Sequence, residues 1–203
     1  MDILMLLNRY FKFSVKRRIE VITKYNNEAK VYDELHFEEQ LNKYLLMERM
    51  VHLNENDVCL DCGCGTGLLI KYLLNKVKFM VGVDFSIEML KKAKRKFKDE
   101  NKVEFVLADI NFLPFAKSSF TKVFSFTVVD GEINGVKALK EFNHVVEHDG
   151  LTVISVLKKA LPINKLKSII ERSKFRIVNE NLTDSSSKDY LFVLQKQEER
   201  EKT

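Results

Sequence analysis

The chain has 203 residues, 45% hydrophobic and 31% charged, with seven Gly, two Pro, and 15 Phe against no Trp. That composition excludes a collagen-like, low-complexity or disordered polypeptide and sets the expectation at one sizeable domain. Its net charge of +5, from 34 Lys and Arg against 29 Asp and Glu, favours solubility without requiring a polyanionic partner. Three cysteines, Cys59, Cys62 and Cys64, crowd into one short stretch, an odd number too tightly spaced to cross-link a fold, so a disulfide scaffold is excluded.

The first element in chain order is an amphipathic helix. Leu4, Leu7, Phe11, Val15, Ile19 and Ile22 recur at helical spacing, with Arg9, Lys12, Lys16, Arg17 and Arg18 between them. Packing of this stripe against the domain or a partner chain is the expectation, and a weak membrane-surface contact is the alternative that a basic amphipathic helix raises. The apolar run Ile3 to Leu7 is far short of the ~20 residues that span a bilayer and shorter than a signal peptide's apolar region. No transmembrane segment and a cytoplasmic location are therefore expected. Tyr25 to Asn27 interrupts the pattern, and a second helix is expected from Glu38 to His52, with Leu41, Tyr44, Leu45, Glu48 and Val51 along one edge.

From Asp57 the texture changes. Val58–Leu60, Phe79–Val83, Val103–Leu107, Lys122–Phe126 and Leu151–Val156 are short, Val- and Phe-rich and strand-like, with helical patterns between them. The clearest helix runs from Ser86 to Lys98. Leu90, Ala93 and Phe97 face inward, Lys91, Lys92, Lys94, Arg95, Lys96 and Lys98 face out, Ser86 is a good cap and Glu88 suits the first turn. Phe175–Asn179 and Tyr190–Leu194, joined by the Ser-rich turn Asp184 to Lys188, read as an antiparallel hairpin. The expected fold is α/β: Rossmann-like, doubly wound, a mostly parallel seven-stranded sheet ending in an antiparallel hairpin and preceded by N-terminal helices. The domain organisation follows: an N-terminal helical cap or lid over residues 1–54, a ligand-binding sheet domain over 55–197 and a charged tail over 198–203.

The strongest chemical feature is Val58-Cys59-Leu60-Asp61-Cys62-Gly63-Cys64-Gly65-Thr66-Gly67, a strand entering a glycine-rich turn that opens a helix at Leu68. Such a turn lets the backbone approach a bound ligand. The dinucleotide fingerprint wants Gly-x-Gly-x-x-Gly, but the glycines fall at 63, 65 and 67 and residue 68 is Leu, a spacing that disfavours pyrophosphate. No Lys or Arg stands between Asp57 and Ile70 to meet a phosphate. Asp84 ends the next strand, where a carboxylate binds ribose hydroxyls by charge-assisted hydrogen bonds. Asp109 follows the third strand, so Asp61, Asp84 and Asp109 are delivered to one edge of the sheet. The cysteines do not have structural zinc spacing, no metal is expected, and they are read as small packing residues.

Taken in order, these motifs resemble those of the class I S-adenosylmethionine-dependent methyltransferases, in particular the small single-domain group that includes the quinone-biosynthesis C-methyltransferases. Asp61-x-Gly63-x-Gly65-x-Gly67 is similar to that family's first motif and Val81-Gly82-Val83-Asp84 to the acidic end of its second strand. Ala108-Asp109-x-x-x-Leu113-Pro114-Phe115 resembles the segment after its third strand, and His148-Asp149-Gly150-Leu151 the turn into its fifth. Phe120 to Ser125 resembles its fourth strand, although Thr121 replaces the usual aspartate. The resemblance implies S-adenosylmethionine as cofactor and S-adenosylhomocysteine as product. It implies that Asp61 and the backbone of Gly63, Gly65 and Gly67 hold the methionine portion, that Asp84 takes both ribose hydroxyls, and that Phe85, Asp109 and the Ile110 amide receive the adenine. Tyr25 and Tyr32 resemble the pre-domain segment that folds over the cofactor as a lid.

The acceptor is expected over the end of the fourth strand, at Phe126-Thr127-Val128-Val129-Asp130-Gly131-Glu132. An Asn-Pro-Pro-Tyr type motif is absent there and no cysteine lies outside residues 59–64, which disfavours amino groups of bases or glutamine and 5-methylcytosine chemistry. Asp130 and Glu132 are the candidates for a base or an acceptor-orienting group, while His144 and His148 read as structural. A small-molecule acceptor is the leading expectation. The alternatives are an RNA methyltransferase that uses the basic N-terminal helix, a non-catalytic cofactor-binding scaffold subunit and an NAD-dependent oxidoreductase.

Overall fold

Each Val- and Phe-rich run does pair into a single sheet. The computed structural model describes residues 16, 18–129, 132–182 and 187–197, with residues 132–134 by backbone alone. Its strands are β1 (Val58–Cys62), β2 (Phe79–Asp84), β3 (Val103–Leu107), β4 (Phe120–Phe126), β5 (Val146–Leu157), β6 (Phe175–Asn181) and β7 (Asp189–Lys196). Their spatial order is β3-β2-β1-β4-β5-β7-β6. β1 to β5 are parallel, and β7 runs antiparallel between β5 and β6. The chain lays β1, β2 and β3 toward one edge and then returns to place β4 on the other side of β1. That reversal opens a crevice beyond the carboxyl ends of β1 and β4, where open α/β sheets bind ligands.

Helical turns over residues 18–28 (α1) precede α2 (Tyr32–Glu48), α3 (Leu68–Leu73), α4 (Ile87–Lys96), α5 (Glu132–Val145) and α6 (Ile163–Arg172). Both faces of the sheet are covered. Met47 of α2, Leu69 and Leu73 of α3 and Ala93 of α4 meet Cys59, Met80 and Phe124 on one face. On the other, Leu139 and Phe142 of α5 and Ile169 of α6 meet Leu60, Val83, Ile154 and Phe192. Cys59 and Leu60 thus go to opposite cores, as the two-residue period of a strand requires. The helices match the 3.6-residue period, and the buried Phe124, Phe142, Phe175 and Phe192 contribute roughly 1.5–3 kcal/mol each.

Four local expectations change. Residues 25–27 stay helical and the break falls at 29–31, because Asn26 uses its side chain on Ser86 rather than on its own backbone. The second helix starts earlier than Glu38: Asp33 in its first turn accepts from the Thr66 hydroxyl and from Lys96. Residues 108–119 connect β3 to β4 without a helix, since Asp109 closes an Asx turn on Asn111 and Pro114 follows. His148 to Gly150 belong to β5 itself, beside a register shift between Phe120 and Lys122. The apolar stripe from Leu4 to Val15 lies outside the described residues. Among the described residues no helix is long and apolar enough to cross a membrane.

Candidate functional site

β1 is the central strand of the crevice, and Asp61 pairs across it with Gly82 of β2 and Phe124 of β4. Asp61 is only 3% exposed, and its Oδ2 has no hydrogen-bond partner. Burial, and next the nearby Asp84 carboxylate, push its pKa up to about 8. A buried acceptor in this state is satisfied by a donor entering from the crevice, above all a cationic one.

The turn after β1 is shaped for close approach. Gly63, Gly65 and Gly67 have φ of 82°, 54° and 81°, a region open to glycine and strained for other residues. The amides of Gly63 and Cys64 both donate to the Val83 carbonyl, at 2.7 and 2.9 Å, which ties the turn to β2. A Cβ at Gly63 would lie 2.3 Å from a Val128 methyl, whereas at Gly65 it would meet nothing nearer than Tyr32 at 3.8 Å. Gly65 therefore turns bare backbone toward the space beneath Tyr32.

Asp84 ends β2 and is 5% exposed. Its Oδ2 accepts the Gly65 amide and its Oδ1 the Ser86 amide, both at 2.8 Å. Burial raises its pKa against the pull of these amides. Each oxygen keeps a lone pair for a further donor. Ser86 caps α4 by accepting from the Met89 amide at 3.2 Å and donates to Asn26 Oδ1 at 2.6 Å. The Tyr25 ring stands edge-on to Phe85, with centroids 6.2 Å apart, and lies 6.4 Å from Tyr32.

The loop after β3 is joined to the same edge, since the Ala108 amide donates to the Asp84 carbonyl at 3.1 Å. The next residue, Asp109, accepts from the Asn111 amide and side chain on Oδ1 and pairs through Oδ2 with Arg18 at 2.9 Å. Ile110 packs against the core under α5. The structure thus gathers Asp61, the three glycines, Asp84, Phe85, Tyr25 and Tyr32 at one edge, with Asp109 and Ile110 following beside Asp84. Asp130 lies outside the described residues, and Glu132 opens α5 with only its backbone described. His144 and His148 are exposed. All three cysteine thiols are buried and burial pushes their pKa values up, the condition of inert packing residues.

The inner face of α2 carries Tyr44, as expected, but is otherwise turned from the expected edge. Gln40, Lys43, Tyr44 and Met47 are its buried residues, while Leu45, expected on the apolar edge, is exposed. A cavity of about 20 Å³ lies under this helix, lined among others by Tyr32, Gln40, Tyr44, Asp61, Gly63 and Phe126. Beside them Lys43 donates to Thr127 Oγ1 at 2.7 Å and pairs with Asp189 at 2.5 Å and Glu39 at 3.0 Å. Thr127, just past β4, has φ of 60°, a costly conformation for a β-branched residue. Its amide donates to the Ser155 carbonyl at 3.0 Å and hydroxyl at 2.9 Å. The available signal was the spacing of Gln40, Lys43, Tyr44 and Met47 along one helical face.

A seven-stranded sheet of this order, with a glycine turn after β1 and carboxylates closing β1 and β2, defines the class I methyltransferase architecture. A family model described as a methyltransferase domain matches residues 60–154, the segment that runs from β1 into β5. The chain is 40% identical over 136 residues to protein MJ1252 of Methanocaldococcus jannaschii, covering 65% of this chain and 49% of that one. It is 31% identical over 112 residues to a malonyl-[acyl-carrier protein] O-methyltransferase of Marinomonas sp., covering 54% of this chain and 42% of the relative. The aligned stretch is thus about half the length of these relatives. Among solved structures, the complex between the Haloferax volcanii Trm112 methyltransferase activator and a methyltransferase superposes with a TM-score of 0.74 at 15% identity, over 86% of this chain and 98% of that one.

Proposed function

We propose that this chain transfers a methyl group from S-adenosylmethionine to a small-molecule acceptor. Asp61 and the turn Gly63–Gly67 hold the methionine portion, Asp84 the ribose hydroxyls, and Phe85, Asp109 and Ile110 the adenine. The observation that carries this reading is the unpartnered, buried Oδ2 of Asp61, set beside a second buried carboxylate and the bare backbone of Gly65. A ligand with an ammonium group and a neighbouring diol satisfies all three. When bound, the cofactor supplies an electrophilic methyl group on a sulfonium and leaves as S-adenosylhomocysteine. The chain's own part is to align the acceptor and exclude water, and α1 and α2 act as the cap that does so through Tyr25, Tyr32 and Tyr44. A small acceptor is favoured over RNA because the expected acceptor segment, residues 126–132, carries no Lys or Arg, whereas an RNA footprint needs basic residues with stacking aromatics.

Calorimetry with S-adenosylmethionine, S-adenosylhomocysteine and NADH tests the cofactor. Binding of both sulfur compounds is expected, and no heat from either at millimolar concentration overturns the reading. A labelled methyl donor screened against metabolites and RNA then tests turnover and acceptor class.

Two further outcomes follow. With its pKa near 8, Asp61 carries a proton at pH 7 in the free chain, and an arriving ammonium favours the carboxylate. Cofactor binding at pH 7 should release a proton, seen as a dependence of binding heat on buffer ionisation enthalpy, and Asp61→Asn should abolish the release. The sign for stability runs the same way: a carboxyl that ionises near pH 4 unfolded and near pH 8 folded makes the free chain less stable as pH rises between those values. Separately, Arg18 holds the Asp109 oxygen that the adenine amine would use. A half-exposed pair of this kind is worth about 0.2–1 kcal/mol, so Arg18→Ala should tighten S-adenosylhomocysteine by roughly 1.5- to 5-fold. Unchanged affinity would remove Asp109 from the adenine site.

A further inference from the structure

Gln40 sits one helical turn before Tyr44 on α2 and is 7% exposed. Its Oε1 has no hydrogen-bond partner. It lines the same cavity as Asp61, whose Oδ2 is also unpartnered. Two unpartnered oxygens therefore belong to residues that line one cavity, Asp61 from the sheet and Gln40 from the helix above it. Buried acceptors are ordinarily paired, and a site that leaves two of them open is built for a donor with more than one N–H. Tyr32 and Tyr44 line the same space, and burial raises both of their pKa values. Their hydroxyls stay protonated and offer donors to an anionic group. Acceptors and donors together suit a zwitterion, and the space holds no Lys or Arg.

We propose that Gln40 is a second acceptor for the primary ammonium of the cofactor's amino-acid portion, so that α2 contributes a ligand to the site in addition to roofing it. This rests on the proposed cofactor.

The test compares S-adenosylhomocysteine with 5′-methylthioadenosine, which has the nucleoside but no amino-acid portion, by calorimetry on the full chain. Gln40→Leu should weaken S-adenosylhomocysteine at least about tenfold, the scale of a hydrogen bond to a charged group, and leave methylthioadenosine within about twofold. Equal losses for both compounds would mean that Gln40 acts through the fold, and unchanged homocysteine binding would mean that it makes no contact; either overturns the assignment. Should Gln40→Leu not fold, Gln40→Met is closer in shape and carries the same comparison. A wild-type chain that binds neither compound refutes the cofactor itself, an outcome distinct from failure of the Gln40 assignment alone.

Discussion

Asp84→Ala is expected to remove most of the cofactor affinity and to destabilise the free chain in the same step. The first effect follows from the proposed contact of this carboxylate with the ribose diol, where hydrogen bonds to a charged group are worth about 1.5–3 kcal/mol each. The second follows from what the carboxylate already holds. Its two oxygens accept the Gly65 and Ser86 amides at 2.8 Å, and alanine leaves both buried donors unsatisfied at about 1–3 kcal/mol apiece. Burial raises the pKa of Asp84, so removing it also recovers some desolvation cost, which favours the lower half of that sum, about 2–4 kcal/mol in urea unfolding. Asp84→Asn keeps one accepting oxygen but turns its NH2 against the Gly65 or the Ser86 amide, donor to donor. It should fall between wild type and alanine in stability while losing nearly as much cofactor affinity. A mid-point for Asp84→Ala equal to that of wild type would show that the two amide contacts do not anchor the turn.

What could be read in the sequence was local. β1 to β5 are short runs of Val, Phe and Leu bounded by polar segments, and each carries its own signal. Asp61 and Asp84 were placed because each stands at the end of such a run, and the glycine turn because its spacing depends on a few adjacent residues. The features that were missed depend on partners distant in the chain. Lys43 is 84 residues from Thr127, and nothing near it announces a buried cation; a Lys in a helical pattern is ordinarily solvated. Reading the inner edge of α2 through Leu41 and Leu45 rather than Gln40 and Met47 was a shift of one position, which turns a helix face by about 100°. Tyr25 to Asn27 interrupts the apolar pattern for the same reason: the use of Asn26, accepting from Ser86, is tertiary. The Arg18 contact to Asp109 is likewise invisible until α1 is laid across the carboxyl edge.

Lys43→Met is expected to cost about 3–5 kcal/mol of stability, the range for removing one partner of a buried ion pair. The side chains of Lys43 and Asp189 are 7% and 2% exposed and lie 2.5 Å apart, and Thr127 Oγ1 and Glu39 complete the ammonium's partners. Methionine fills the volume of the lysine stem but, among the described residues, leaves the Asp189 carboxylate facing the Thr127 and Ser155 hydroxyls alone, at 3.2 and 3.4 Å. Replacing both partners, as Lys43→Met with Asp189→Leu, removes the stranded charge and should recover most of the loss, so that urea unfolding of the two singles and the double separates charge burial from packing. A single-variant loss below about 1 kcal/mol would place the pair with surface ion pairs. The same contacts reach into function, because this pair fastens α2 to β7 and to the strained residue just past β4. Tyr32, Gln40 and Tyr44 ride on the fastened helix, so in the single variant cofactor binding should weaken along with stability, and the double should restore both together.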